Sequence, residues 1–111
     1  RVIPIFLVLF YTNANAGMLD WYYLHQAKEA YNDKNYSLSA KLYSKINNDE
    51  AKFNQANSLY RMKKYQEALK LFNSIKDKKL KEKALYNAGN CNVKLKHYDK
   101  AIQDYEKALK L

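Results

Sequence analysis

Apolar and small residues recur along the chain at intervals that place them on one face of an α-helix. Tyr36, Tyr65 and Tyr98 each open such a stretch. A small residue follows three positions later, an aromatic residue seven later and an apolar residue ten later. In chain order these residues are Ser39, Tyr43 and Ile46, then Ala68, Phe72 and Ile75, then Ala101, Tyr105 and Ala108. The sequence therefore repeats one amphipathic helix three times.

A second helix is predicted before each of these three. Small residues stand nine positions ahead of each tyrosine, at Ala27, Ala56 and Gly89, where they would let two helices approach closely. Asn48 or Asp49 is a suitable N-cap for the third helix. The predicted helices cover about 18–33, 37–46, 49–62, 65–76, 79–95 and 98–111. They pair into three units, at about 17–46, 49–76 and 79–111.

The composition supports an all-α fold. Only two glycines and one proline occur in 111 residues, so the turn residues that β-hairpins need are missing. The hydrophobic fraction of 48% is enough for a core. The chain is therefore expected to form one domain or a short array of repeats.

These residues carry a resemblance to the tetratricopeptide repeat (TPR). Residues 84–111, ALYNAGNCNVKLKHYDKAIQDYEKALKL, resemble it along their whole length, through Leu85, Gly89, Tyr98, Ala101, Tyr105 and Ala108. Residues 51–75 are similar, through Ala56, Leu59, Tyr65, Ala68 and Phe72. Residues 20–46 fit at Ala27, Tyr36 and Tyr43, with Ser39 in place of the usual alanine. The resemblance implies three helix-turn-helix units stacked as a right-handed α-solenoid.

Two departures from the repeat pattern carry structural expectations. Ser39 and Ala68 are 29 residues apart, whereas Ala68 and Ala101 are 33 apart, so the second helix of the first unit should be about one turn short. Asn92 stands where the family usually has a large hydrophobic residue, and packing between neighbouring helices should be weaker there.

The resemblance also implies a function and a site. TPR proteins bind protein or peptide partners in a groove lined by the first helix of each unit, so we expect a non-catalytic scaffold here. The groove positions of this chain are Leu24, Lys28, Tyr31, Asn32, Phe53, Asn57, Tyr60, Arg61, Lys83, Tyr86, Asn90 and Lys94. Aromatic, amide and cationic side chains suit a peptide ligand. Alternatively, Phe53 and Tyr86 only pack between neighbouring helices.

Two narrower comparisons within the TPR class give different outcomes. TPR domains that clamp a C-terminal carboxylate use a Lys-Asn, Asn, Lys-Arg pattern, and only Asn54 and Lys83 match it, so we expect no such clamp.

The chain also resembles the repeat portions of bacterial Bat-type (aerotolerance-operon) proteins. The resemblance lies in the apolar segment, the short first unit and the stretch FNQANSLYRMKKYQEALKLF. In those proteins the repeats follow a von Willebrand A domain, and no such domain is seen in this sequence.

Residues 1–16 follow a different pattern. Arg1 precedes the apolar run 2–11, and a polar stretch ends at Ala14-Asn15-Ala16. This order is typical of a signal peptide cleaved before Gly17. The run could instead be the remnant of a membrane anchor, with Trp21 near the interface, or an element of the core. We expect an exported protein, periplasmic or membrane-anchored; a cytoplasmic location is the alternative.

The net charge of +9 is concentrated in the middle of the chain. Residues 61–83 carry nine basic and three acidic side chains, which could bind nucleic acid or an anionic membrane surface. However, eighteen of the twenty basic residues are lysine, whereas nucleic-acid readers favour arginine. Solvated helix faces are the preferred interpretation, and we do not expect nucleic acid as the partner.

No residue pattern indicates catalysis, a metal or a cofactor. His25 and His97 belong to different units and lack partners at metal-ligand spacing. Cys91 is the single cysteine and is expected to be a buried structural thiol. No phosphate-binding loop or nucleophile motif occurs, so we predict that the protein is not an enzyme. The last helix lacks a polar cap, so self-association through it is a further possibility.

Overall fold

The computed structural model describes the backbone of residues 5–111 and the side chains of residues 17–111. Within this part of the chain the fold is all-helical. Each helix packs against the next one along the chain, and the third also contacts the fifth. The six helices are α1 (Ile5–Asn32), α2 (Tyr36–Tyr43), α3 (Asp49–Arg61), α4 (Tyr65–Asn73), α5 (Lys78–Lys94) and α6 (Tyr98–Leu109). The predicted all-α architecture of stacked helix pairs is confirmed in outline.

The N-terminal end of α1 differs from the expectation. The helix begins at Ile5 instead of near residue 18. The hydrophobic segment predicted at residues 1–16 lies outside the part whose side chains are described, so its role as a signal peptide or anchor stays a prediction. None of the helices in residues 5–111 is both long enough and apolar enough to cross a membrane.

Helices α2 and α4 end three residues earlier than predicted, because a serine caps each of them. The Ser44 and Ser74 hydroxyls donate to the carbonyls of Lys41 and Leu71, three residues back. The chain then leaves the helix through a tight turn that keeps Ile46 and Ile75 buried. The turn that the 29-residue spacing was expected to remove from α2 is instead missing from α3. Helices α2 and α4 have almost equal lengths of 8 and 9 residues, whereas α3 has 13 residues and α5 has 17.

The turn inside each unit uses a lysine where a glycine is usual. Lys34, Lys63 and Lys96 have φ angles of 62°, 63° and 64°, in the left-handed region. In each turn two backbone N–H groups bond back to the helix end; for example, the N–H of Asn35 donates to Ala30 at 2.8 Å and that of Lys34 to Tyr31 at 3.0 Å. This Schellman arrangement satisfies carbonyls that the helix leaves free. Because the three turns share this geometry, the helix pairs of the three units are connected in the same way.

The first inter-unit interface joins α2 to α3 and contains a buried pair of hydroxyls. Ser39, where the repeat usually has alanine, donates to the carbonyl of Ala27 in α1 at 2.9 Å. The Ser58 hydroxyl lies 3.1 Å from both the Ser39 hydroxyl and the carbonyl of Asn54. Both serines are fully buried, and hydrogen bonding offsets the cost of burying them.

The second inter-unit interface joins α4 to α5 and is apolar at the same repeat positions. Ala68 and Cys91 replace the two serines there, and both belong to the main hydrophobic cluster with Phe72 and Ile75. Burial, together with the nearby carboxylate of Asp104, raises the pKa of Cys91 to about 12. The thiol is therefore neutral at physiological pH, as expected of a structural cysteine.

In the third unit α5 and α6 are in close contact at Gly89. A Cβ atom at Gly89 would lie 2.5 Å from Cε1 of Tyr105, so only glycine fits there without moving that ring. Asn92 is buried beside this contact and donates to the Asp104 carboxylate at 2.8 Å. An amide paired with a carboxylate thus replaces the usual hydrophobic residue.

One carboxylate ties α3 to the loop before α5. Asn48 is the N-cap of α3 and accepts the N–H of Ala51 at 2.8 Å, which leaves Asp49 free for another role. Asp49 accepts the backbone N–H groups of Lys76 and Asp77 at 2.9 and 2.8 Å. These two bonds lower the pKa of Asp49 and fix the start of the third unit against the second.

Candidate peptide-binding groove

The groove is the face lined by α1, α3 and α5, and a short repeated sequence forms its centre. Residues 53–57 read FNQAN and residues 86–90 read YNAGN, 33 positions later. Each stretch places an aromatic residue, two asparagines and a small residue on the first helix of a unit. Because residues three apart share a helix face, the two asparagines of each stretch point the same way.

The asparagines of adjacent units are linked across the groove. The side-chain amide of Asn87 donates to the Asn57 carbonyl oxygen at 3.2 Å. The Asn90 carbonyl oxygen accepts the hydroxyl of Tyr105. An asparagine side chain has two N–H donors and an oxygen with two lone pairs, so these bonds leave further donors and acceptors for a ligand. The groove therefore presents oriented amides that can pair with a peptide backbone.

The N-terminal end of the groove is polar. A pocket of about 260 Å³ is lined there by Lys28, Tyr31, Asn32, Tyr43, Asn54 and Asn57. Four of these residues were predicted groove positions: Lys28, Tyr31, Asn32 and Asn57. The pocket combines one cation with three amides, which suits a carboxylate or backbone amides of a ligand.

Arg61 and Tyr31 hold each other in place beside this pocket. The Arg61 Nε donates to the Tyr31 hydroxyl at 3.4 Å, and the guanidinium lies 5.7 Å from the centre of the Tyr36 ring. The hydrogen bond that Arg61 donates to Tyr31 is the main cause that raises the pKa of Arg61. Tyr31 also packs edge-on against Tyr36, with ring centres 5.1 Å apart. Two predicted groove residues are thereby pre-positioned.

The middle of the groove is a small pocket of about 60 Å³ between α3 and α5. Tyr60, Asn57 and Asn90 were predicted groove residues and all line it. Tyr60 packs edge-on against Tyr65 with ring centres 5.2 Å apart, as Tyr31 does against Tyr36 in the unit before. Tyr31 and Tyr60 are therefore held in similar positions by the tyrosine that begins the next helix.

The C-terminal end of the groove is apolar and wider. Its pocket of about 600 Å³ is lined by Phe53, Glu82, Lys83, Tyr86, Asn87, Tyr105, Ala108 and Leu109. Phe53 is half-buried and packs against Phe72 with ring centres 5.6 Å apart, whereas Tyr86 is 57% exposed. Phe53 thus serves mainly packing, and Tyr86 is the aromatic side chain open to a ligand. Lys83 supplies a charge at the rim.

Two of the predicted groove positions lie apart from these pockets. Lys94 is exposed at the end of α5 and lines none of the three. Leu24 lines a separate pocket with Trp21, Ile46 and Ala51. The basic stretch 61–83 is also divided, because Lys63 and Lys64 precede α4 while Lys76 to Lys79 follow it. These two groups of lysines lie about 14 Å apart along α4.

Several residues that line the groove were not among the predicted positions. Two of them, Asn54 and Asn87, stand at a 33-residue spacing that is visible in the sequence. Tyr43, Tyr105 and Leu109 belong to second helices, and Tyr43 and Tyr105 were expected to pack between helices. Their lining role depends on how closely the helices approach, for which the sequence gives no direct signal.

Three stacked helix hairpins with this residue pattern define a tetratricopeptide-type repeat protein. The family model described as anaphase-promoting complex, cyclosome, subunit 3 matches residues 25–108, and the chain belongs to this family of TPR-type repeats. The match establishes the repeat type of this chain. The complex in the description is that of the subunit after which the family is named, and it is not assigned to this chain. Comparison with curated proteins gives no match.

Membership of this class supports a general statement about function. TPR-type repeat families are typically non-catalytic scaffolds for protein–protein interaction. The narrower resemblance to Bat-type proteins is not tested by these comparisons and stays a prediction.

Proposed function

We propose that the protein is a non-catalytic scaffold that binds a peptide segment of a partner protein in its groove. The observation that carries the proposal is the row of four asparagines on α3 and α5, joined by the Asn87–Asn57 hydrogen bond at 3.2 Å. Amides recurring at one repeat spacing suit a ligand whose own amides recur, and a polypeptide backbone is such a ligand.

The two ends of the groove give the ligand a direction. The polar pocket at Lys28 suits an acidic or C-terminal group, whereas the apolar pocket at Tyr86 suits a large hydrophobic side chain. An anchor residue of this kind commonly supplies much of the binding energy at an interface. The expected ligand therefore has an apolar residue at one end and an acidic group at the other.

Binding would be tested by replacing four groove residues, Lys28, Asn57, Arg61 and Asn90, with alanine in one variant. A control variant carries alanine at Gln66, Lys70 and Gln103, which are exposed on second helices. Quantitative capture of envelope proteins from the source cells should fall at least tenfold for the groove variant and stay unchanged for the control. Equal capture by both variants, with unchanged helical circular dichroism, would show that the groove is not the binding surface.

We also propose that the protein acts at the cell envelope, either exported or held there by its N-terminal segment. The support is the order of Arg1, the apolar run 2–11 and Ala14-Asn15-Ala16. Mass spectrometry of the mature N-terminus should find either Gly17 as the first residue or the full segment in a membrane fraction. A soluble protein that retains residues 2–16 would contradict both forms of the proposal.

A further inference from the structure

Arg61 differs from the other cations of the protein in residue type and in its surroundings. Apart from Arg1 it is the only arginine, and the other eighteen basic residues are lysine. It is the last residue of α3, one of the three helices that line the groove. A guanidinium is planar and carries five N–H donors in a fixed fork, whereas the ammonium of lysine is a compact point charge. One groove position therefore has a donor geometry that no lysine supplies.

Two tyrosines of the first unit fix the position of this guanidinium. The Nε–H group of Arg61 donates to the Tyr31 hydroxyl at 3.4 Å. The Cζ atom of Arg61 lies 5.7 Å from the centre of the Tyr36 ring, which is a cation–π distance. The two rings also pack edge-on, with centres 5.1 Å apart. These contacts restrict a long, exposed side chain before any ligand binds, and this lowers the entropic cost of binding.

The equivalent cation of the next unit lacks this support. Lys94 is the counterpart of Arg61 one unit later, and Tyr60 and Tyr65 are the counterparts of the two tyrosines. Among the side chains that are described, Lys94 makes neither a hydrogen bond nor a cation–π contact with this second pair of tyrosines. The same arrangement of tyrosines therefore holds the cation only where the cation is arginine.

The contacts with the tyrosines leave most of the donors of Arg61 available. Nε is occupied by Tyr31, and the four N–H groups on Nη1 and Nη2 remain. Within residues 17–111, no carboxylate lies within ion-pair distance of Arg61, and no acceptor receives a hydrogen bond from either Nη atom. Nη1 and Nη2 form the end of the fork, which matches the two oxygens of one carboxylate. The fork is thus suited to an acidic group that a ligand supplies.

The polar pocket of the groove lies next to this fork. Tyr31 lines that pocket and also accepts the hydrogen bond from Arg61. Lys28 and Asn32 line the pocket as well, and its six lining residues include no acid. A negatively charged group at this place would therefore meet cations and amides without an opposing carboxylate in the pocket wall.

The position of Arg61 along α3 favours a side chain of the ligand as the source of that group. Asn57 lies one helical turn, about 6 Å, before Arg61, so the guanidinium is at the side of the groove and the asparagine nearer its middle. A peptide whose backbone pairs with the asparagines directs its side chains toward the sides of the groove. An aspartate or glutamate side chain can span the distance from such a backbone to the fork.

We propose that Arg61 binds the side-chain carboxylate of an Asp or Glu residue of the bound peptide, end-on through Nη1 and Nη2. Tyr31 and Tyr36 are positioning residues that hold the guanidinium for this contact. This role rests on the proposed function, since it assigns the residue type that the groove selects in a peptide. Bidentate bonds between a guanidinium and a carboxylate are strong and geometrically specific, so lysine should not replace Arg61.

A random peptide library tests this assignment without a known partner. Acetylated and amidated nonapeptides, with phosphoserine among the building blocks, are passed over the immobilised full chain, and the retained peptides are sequenced by mass spectrometry. The native chain should enrich Asp or Glu at least tenfold at one position relative to a large apolar residue. Arg61→Lys keeps the charge and removes the fork, so it should lose this enrichment and keep the apolar preference. Lys64→Gln, which removes a nearby exposed charge, should keep both.

Tyr31→Phe tests the positioning role, because it removes the hydroxyl and keeps the ring that packs on Tyr36. The enrichment of acidic residues should fall severalfold. The Nε–H signal of Arg61 in ¹⁵N-correlated NMR spectra should move and exchange faster with water, which a loss of packing elsewhere would not cause. If the signal and the enrichment both stay unchanged, Tyr31 does not position Arg61.

The outcomes separate this assignment from the proposed function. It is overturned if acidic residues are not enriched, if Arg61→Lys enriches them equally, or if phosphoserine is enriched in their place. It is also overturned if acidic peptides are retained only from a second library with free C-terminal carboxylates. A preserved apolar preference in any of these cases would leave the peptide groove intact. If no peptide is retained at all, both the assignment and the proposed function fail.

Discussion

The two inter-unit interfaces use the same repeat positions with opposite chemistry. Between α2 and α3, Ser39 and Ser58 form a buried hydroxyl pair that bonds to the carbonyl of Ala27. Between α4 and α5, Ala68 and Cys91 fill the same positions within an apolar cluster. These repeat positions therefore require a small side chain, which can be polar or apolar. Polarity is tolerated there when the neighbouring unit supplies a hydrogen-bond partner.

One large aromatic side chain should also contribute differently to the free energy of unfolding at its two equivalent repeat positions. Phe72 fills the second interface and is almost completely buried, so Phe72→Ala should lower the free energy of unfolding by about 3–5 kcal/mol. Tyr105 has the same repeat position in α6 and packs against Gly89 of α5, but it is only half-buried, so Tyr105→Ala should cost less than half as much. Urea unfolding followed by circular dichroism measures both. Equal losses would contradict the difference in burial on which the comparison rests.

A double-mutant cycle isolates the hydroxyl pair of the first interface. Ser39→Ala and Ser58→Ala should each cost about 1 kcal/mol, because each removes a buried hydrogen bond or leaves a hydroxyl with fewer partners. The double variant should cost clearly less than the sum, by about 0.5 kcal/mol or more. Urea unfolding of the four proteins gives the coupling energy. Strictly additive losses would mean that the two serines act independently.

The smallest effect is expected at the surface, where Asp49 joins the second unit to the third. Its lowered pKa means that its stabilising effect is fully present above the ordinary value of 3.8 and is lost as pH falls through the folded-state pKa. Unfolding free energies of the native chain and Asp49→Asn should therefore differ at neutral pH and converge in acid. A difference that stays constant down to strongly acidic pH would exclude the two backbone bonds as its source.

The repeat pattern predicted much of the fold because its signals are local. Tyr65, Ala68 and Phe72 follow helical spacing and are recognisable without knowing their neighbours. Turns near Lys34, Lys63 and Lys96 were predicted, but their left-handed conformation was not, since glycine or asparagine is the usual signal for it. The substitution of Ser39 for alanine was visible in the sequence, but its partners in α1 and α3 depend on packing.

The candidate site was predicted less completely, because some of its contacts depend on how neighbouring units pack together. The first-helix positions, such as Tyr31 and Asn57, follow from the repeat alone, and the structure brings nine of the twelve predicted residues into three adjoining pockets. Arg61 lies beside one of them through its bond to Tyr31, and Leu24 and Lys94 stay apart. The link between Asn57 and Asn87 spans two units, and only the distance between α3 and α5 determines it.

The most direct test of the proposed function follows the asparagine side chains themselves. Their NH₂ groups give separate signals in ¹⁵N-correlated NMR spectra, and single Asn→Asp variants would assign those of Asn54, Asn57, Asn87 and Asn90. Adding a peptide from a captured partner should shift these signals progressively until saturation, while the signal of Asn73 on α4 stays in place. Saturable binding that moves none of the four groove asparagines would contradict the account.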